Sequence, residues 1–258
     1  MPKEVFSLRI PSELPLGRAV SLFLLDLLYP NRCPCCKQSI SWHRYVCDSC
    51  AAALVLPEHA VCPGCGKAQG DCICDTAPAF DRGLAAVWYE GVGRAGILSL
   101  KDAESLHFAR YCGTILGKQI LADPQLNGYD CVVPVPMATR KKRRRYCNPA
   151  EVLAKEIAAV TRIPMRTDLL HCAETAVAQH TLSAAQRRKH VSQFSAAGKD
   201  LKGYRILLCD DVLTTGSTMN RCAELLKAQG AVSVAAAAAA TTRRNKEATD
   251  IHNLHTNS

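Results

Sequence analysis

The chain has 258 residues, 48% of them hydrophobic, and a formal charge of +9 at neutral pH. That is enough for one well-buried domain plus a smaller module. Nine of its 15 cysteines fall between Cys33 and Cys74, ahead of a long cysteine-poor remainder. This distribution excludes a small secreted disulfide scaffold and reads as metal binding in a reducing cytosol.

Four regions follow along the chain. Residues 1–30 read as an arm and a short helix. The run AVSLFLLDLL (19–28) is broken by Asp26 and is well short of the ~20 residues a membrane span needs. Leu16, Val20, Phe23, Leu24 and Leu27 share one helical face, so an amphipathic helix packed on the protein is expected, with no membrane span. Residues 31–76 are a cysteine module, and residues 77–242 alternate strand-like and helix-like patterns. Residues 243–258 lack an apolar period and read as a disordered tail.

In the cysteine module, Cys33-x-x-Cys36 and Cys47-x-x-Cys50 are followed by Cys62-x-x-Cys65 and Cys72-x-Cys74. Four thiolates in two tight pairs suit tetrahedral Zn²⁺, which can organise a segment too small to own a core. Eight ligands allow one or two structural zincs, side by side or interleaved; the shorter Cys72-x-Cys74 spacing favours the first site over the second. Cys35 reads as a spare thiol and His43 as an exposed loop residue. A redox C-x-x-C would sit at a helix start after a strand, which this segment lacks.

In the large region, YDCVVPVP (129–136) is an apolar strand halted by prolines. A basic run follows, Arg140 to Arg145. NPAEVLAKEIAAV (148–160) predicts a helix with Asn148 as N-cap, Pro149 at the first position and Glu151 as capping-box partner. RILLC (205–209) is a second buried strand. STMNRCAELLKAQG (217–230) predicts a helix with Met219, Cys222, Ala223 and Leu226 inward and Gly230 as its stop. VSVAAAAAATT (232–242) is alanine-rich, yet its place straight after that stop fits a crowded central strand. Alternating strands and helices imply an α/β fold with a mostly parallel sheet, whose ligands bind outside the carboxyl ends of the strands.

One such end carries RILLCDDVLTTGST (205–218). A strand, a turn rich in hydroxyls and glycine, and then a helix make a phosphate cradle of backbone amides. Thr214, Thr215, Ser217 and Thr218 add donors, and Gly216 lets the backbone come close. Ionised Asp210 and Asp211 accept hydrogen bonds only, so they suit sugar hydroxyls rather than phosphate. The combination describes a ribose 5-phosphate site. It is no Walker loop, because no G-K-[ST] is present.

ILLCDDVLTTGST resembles the signature of the type I phosphoribosyltransferases: four apolar residues, two acids, two spacers, then T-T-G-x-T. The resemblance implies that Asp210 and Asp211 hold the ribose hydroxyls of phosphoribosyl pyrophosphate. Thr214 to Thr218 would hold the 5-phosphate, and Mg²⁺ would bridge diphosphate and ribose oxygens. The cysteine module, LSLKD, VVPVP, RRYCNPAEVLAKEIA and QHTLSAAQRRKHV, in that order, make the chain similar to the ComF/GntX family, phosphoribosyltransferase-fold proteins tied to natural competence and DNA uptake. By that resemblance Val135, Pro136 and Met137 shape a pyrophosphate loop. Lys101, Arg140, Arg144, Gln179 and Arg187 surround the anionic ligand, the last two on a mobile flap.

The chain departs from the family where R-G-F-N-Q is replaced by Arg145-Tyr146-Cys147-Asn148-Pro149, where His190 stands for asparagine, and where Asp102 follows Lys101. These changes lie on the second-substrate side and leave the ribose-phosphate motif intact.

Two functions are therefore expected. One is a Mg²⁺-dependent phosphoribosyltransferase of the pentosyl-transfer class, with an acceptor the residues do not reveal. The other is a competence factor that binds single-stranded DNA on the same platform, beside other competence proteins. Residues 139–205 hold 15 Lys/Arg against 5 Asp/Glu, which points to an anionic ligand or to a solvated face. Lys141, Lys142 and Arg143 are the nucleic-acid candidates. An aromatic content of 5% makes a base-stacking platform unlike this chain, so binding would be electrostatic.

Overall fold

The structure, a computed structural model, describes residues 31–41, 43–57, 62–101, 106–126, 128–145, 147–173 and 193–243, with backbone alone at 101, 141 and 144. The expected helix within 1–30, the flap residues Gln179, Arg187 and His190, and nearly all of the expected tail lie outside these residues.

The core of the fold is a four-stranded sheet in the order β1 (Arg82–Trp88), β6 (Ser233–Thr241), β5 (Arg205–Leu213), β2 (Cys131–Pro134). Every pairing in it is parallel. Because successive side chains on a strand point to opposite faces, β5 and β6 feed two separate cores. Leu207, Cys209, Ala235, Ala237 and Ala239 face one side, packed by α1 (Asp48–Ala53), α2 (Gly91–Lys101), α3 (His107–Ala122) and α5 (Pro149–Thr161). Ile206, Leu208, Val234, Ala236 and Ala238 face the other side. There they meet α6 (Ser217–Ala228) and the antiparallel pair β3 (Leu170–Cys172) and β4 (Phe194–Ala196).

The alanine run is indeed a strand. Ala235 to Ala240 are each 1% exposed or less, between β1 and β5. Alanine's helical preference is a few tenths of a kcal/mol against its neighbours, whereas burial on both faces of a central strand acts on every residue. Gly230, at a φ of 104°, ends the preceding helix and prevents it from running on.

Two helix readings are refined. In α6, Met219, Cys222, Ala223 and Leu226 are the buried residues, as the periodicity implied. In α5, Asn148 caps the helix with its side chain, which accepts from the Ala150 amide at 3.1 Å, and Pro149 opens the first turn. Glu151 is no capping-box partner, however. Its carboxylate accepts from Lys142 Nζ at 2.7 and 2.9 Å. Among the described residues, no helix is long and apolar enough to cross a membrane.

Candidate functional site

On its β2 side β5 stops pairing at Cys209, opposite Pro134, and the Val135 amide makes the last bond, 2.8 Å to the Cys209 carbonyl. On its β6 side pairing continues through Asp210, Val212 and Leu213. The acids therefore sit inside the strand on one side and at its end on the other. This step half-exposes both carboxylates while their backbone stays in the strand. The Asp211 amide donates to Asp210 Oδ1 at 2.8 Å. Burial first, and the Asp210 charge second, raise the thiols of Cys209 and Cys222, which stay neutral core groups.

Thr214 and Thr215 are exposed beyond the strand, and Gly216 turns the chain with a φ of 77° before α6. That left-handed conformation is strained for a side chain, which explains a glycine at this N-cap. As a glycine it brings no capping side chain to the amides of the first turn. Thr215 Oγ1 lies 2.9 Å from Ser217 Oγ, and Thr218 is half-buried. Amides and hydroxyls thus converge at the positive end of a helix, an arrangement that binds anions.

The other expected residues divide. Val135, Pro136 and Met137 leave β2 directly beside the end of β5, so the structure brings the expected diphosphate loop to the acids' edge. The basic run is a helix, α4 (Thr139–Arg145), on which Arg140 and Arg143 are exposed while Lys142 is held by Glu151. Lys101 ends α2, and Lys141 and Arg144 lie on α4; their side chains are outside the description. Among the described residues no third acid joins Asp210 and Asp211 in a metal cage.

The eight paired cysteines form two clusters, sequential rather than interleaved: Cys33, Cys36, Cys47 and Cys50, then Cys62, Cys65, Cys72 and Cys74. Neither Cys35 nor His43 joins them. A tetrahedron with Zn–S bonds of about 2.3 Å has edges of about 3.8 Å. The sulfurs of Cys36 and Cys47, Cys62 and Cys74, and Cys65 and Cys72 are 3.6, 3.5 and 3.8 Å apart. Both clusters are thus the right size for zinc, including the one with the shorter spacing.

Each cluster starts with the same knuckle. The Cys33 amide donates to the Gln38 carbonyl, and the Lys37 amide donates back to Cys33; Cys62, Lys67 and Gly66 repeat the pattern. The Cys62 thiol falls to about 7, first through the Cys65 amide. Burial pushes Cys47 up, but hydrogen bonds from Ser49, the Cys50 amide and nearby thiols outweigh it and bring it to about 6. Thiolate is the form zinc takes.

The clusters dock on opposite faces of the sheet. Cys33 and Cys50 belong to the core with α3 and α5, Cys65 to the core with α6. The second docks backbone to backbone: a Cβ on Gly83 would come 2.2 Å from the Cys65 carbonyl carbon. Sequence reasoning missed Lys67, which is 4% exposed and whose Nζ donates to Thr242 Oγ1 at 2.7 Å and to the Thr242 carbonyl at 3.0 Å. Nothing in its neighbourhood along the chain separates it from a surface lysine.

The chain also matches known domain families and proteins. Residues 24–78 match the double zinc ribbon domain and residues 150–256 the phosphoribosyl transferase domain. DNA utilization protein YhgH of Salmonella typhi is 26% identical over 219 residues, 81% of this chain and 96% of that protein. Its counterpart in Escherichia coli (strain K12) is 25% identical over the same shares. Competence protein F of Haemophilus influenzae is 33% identical over 154 residues, 58% of this chain and 56% of that one. Adenine phosphoribosyltransferase from Leishmania donovani aligns over 62% of each chain, with 18% identity and a TM-score of 0.36. The chain is a homologue of Competence protein F and DNA utilization protein YhgH, built from a double zinc ribbon and a type I phosphoribosyltransferase fold.

Proposed function

We propose that the chain binds phosphoribosyl pyrophosphate at the carboxyl end of β5 and acts in natural competence or DNA utilization, as the names of its relatives indicate. The observation that carries this reading is the continuity of one strand end: Asp210 and Asp211, then the turn of Thr214, Thr215, Gly216, Ser217 and Thr218 opening α6, with Val135 bonded alongside. In this reading the two acids accept from the ribose hydroxyls, and the turn amides and hydroxyls receive the 5-phosphate. Val135, Pro136 and Met137 flank the diphosphate. Arg140 and Arg144 on α4, with Lys101 and Arg187, add positive charge around it, and Gln179 adds a neutral hydrogen-bonding amide.

Magnesium, when bound, neutralises the diphosphate and stabilises it as a leaving group. The chain's own contribution to phosphoribosyl transfer is to hold the ribose and exclude misalignment while the anomeric carbon develops positive charge. The protein works in the cytoplasm in this reading, where the cysteine ligands stay reduced.

Calorimetric titration with phosphoribosyl pyrophosphate, with and without Mg²⁺, tests the proposal. One Mg²⁺-dependent site per chain is expected, and absence of binding in both conditions would overturn it. Pyrophosphate release across candidate acceptors then tests turnover.

A second reading has its own observation. Arg140 and Arg143 are exposed on a helix that starts at Thr139, just after the Val135–Met137 loop. A row of cations there can track the phosphates of single-stranded DNA without reading its bases. Binding of labelled single strands by the intact chain, and its competition by phosphoribosyl pyrophosphate, tests this role.

A further inference from the structure

The second zinc ribbon and the candidate phosphate turn meet through a few residues far apart in the chain. Lys67 closes the ribbon's first knuckle, where its carbonyl accepts from the Cys62 amide at 2.7 Å. Its buried side chain runs to the carboxyl ends of β5 and β6. There Nζ lies 3.5 Å from the carbonyl of Leu213 and bonds both oxygens of Thr242. Leu213 is the last residue before Thr214. Its carbonyl also accepts from Thr241 Oγ1 at 3.3 Å.

A second contact comes from the other half of the ribbon. Ile73, between the ligands Cys72 and Cys74, lies under Gly216, where a Cβ would meet its Cδ1 at 2.9 Å. A third comes from the ribbon's exit, where the Ala79 amide donates to Asn220 Oδ1 at 2.5 Å. The first ribbon packs into the core on the opposite face of the sheet.

We propose that the second ribbon is the positioning element of the phosphate turn: Lys67 and Ile73 hold Leu213 and Gly216 in place. Ligation at Cys62, Cys65, Cys72 and Cys74 thereby sets the affinity for a 5-phosphoribosyl group, while the first ribbon does not. Burying an amine among neutral oxygens is costly unless it is bonded, so the Lys67 contacts fix a single geometry for the segment they grip. Amides held in position before the ligand arrives spare the ordering cost of binding. The ligand half of this proposal rests on the ribose-phosphate reading above.

The test uses the full chain with its zinc. Lys67→Met removes the donor, Thr242→Val removes one acceptor mildly, and Cys36→Ser damages the first ribbon only. Hydrogen exchange over 210–220, zinc content, and calorimetry with ribose 5-phosphate and with inorganic pyrophosphate are measured. In Lys67→Met, exchange at 214–218 and the ribose 5-phosphate Kd should each rise about tenfold, the worth of one lost hydrogen bond.

Pyrophosphate affinity and zinc content should stay as in the parent, which a general loss of stability would not leave unmoved. Thr242→Val, which removes only a side-chain hydroxyl, should show the same pattern more weakly and decides the matter if Lys67→Met fails to fold. Unaltered exchange at 214–218 in Thr242→Val and in any folded Lys67→Met overturns the proposal, as does equal loosening by Cys36→Ser. If the parent binds neither probe, the ribose-phosphate reading falls on its own, and the exchange results still decide whether the ribbon holds the turn.

Discussion

The Asp211 amide donates to Oδ1 of Asp210 at 2.8 Å, so the backbone of one acid orients the carboxylate of the other. With pairing to β6 continuing beneath them, the two carboxylates are presented by strand backbone. Asp210→Ala and Asp211→Ala should each weaken phosphoribosyl pyrophosphate binding by roughly 1.5–3 kcal/mol, the range for hydrogen bonds to charged groups. Asp210→Asn, which keeps one oxygen for the Asp211 amide, should lose less than the alanine variant. Calorimetry on the three variants checks this; unchanged affinity in both alanine variants would remove the acids from the ribose site.

Two cysteine clusters of tetrahedral size lead to an expected content of two Zn²⁺ per chain, measurable by elemental analysis of the purified protein. Cys33 and Cys50 are buried in one core and Cys65 in the other, so chelation should loosen the sheet's β1 edge as well as the ribbons themselves. Exchange of the β1 amides should rise before that of β5. A metal-free chain with full protease resistance over 31–76 would contradict the assignment.

His107 provides a pH test. Its ring packs edge-on against Tyr45 of the first ribbon, with centroids 5.6 Å apart. Burial, and secondarily the Arg110 charge, lower its pKa below the ordinary 6.5. Between the lowered folded value and the unfolded 6.5 the unfolded chain binds a proton that the folded chain refuses. Stability from this group is therefore complete above pH 6.5 and is lost as pH falls from there through the folded value. Denaturant unfolding of the parent and of His107→Gln between pH 5 and 8 should show a shallower acid-side loss in the variant. Cysteine protonation affects both chains and cancels in the difference. Parallel curves would exclude His107 as the source.

The salt dependence of single-strand binding tests the α4 helix. Counterion release gives a log–log slope of about −0.7 per neutralised phosphate. Replacing Lys141, Lys142 and Arg143 by alanine should flatten the slope by roughly 2 if all three lie on phosphates. Because Lys142 is held by Glu151, Lys141→Ala/Arg143→Ala is the cleaner variant, with an expected change of roughly 1.4. A slope that does not move would leave the run as a solvated helix.

The features legible along the chain are those that neighbouring residues settle among themselves. The inward face of α6 and the Asn148 cap with Pro149 behind it depend on contacts within a few positions, and the acids, hydroxyls and glycine of 210–218 announce a turn by their own chemistry, so these could be read from periodicity and turn composition. The four-cysteine spacing belongs to the same class, since each knuckle closes on itself within five residues.

The tertiary structure alone decided the choices that lie between distant segments. The ribbons are sequential because each face of the sheet receives one of them. Glu151 leaves the helix cap because Lys142, placed by the preceding helix, offers it a full charge. β6 is a strand because both faces of the sheet close over it, although its alanines prefer helix. Lys67 reaches Thr242 across 175 positions, a partnership without any local signal. A side chain's intrinsic preferences act over one or two turns of chain; a buried partner is chosen by whichever segments packing brings together, and that is a property of the assembled sheet.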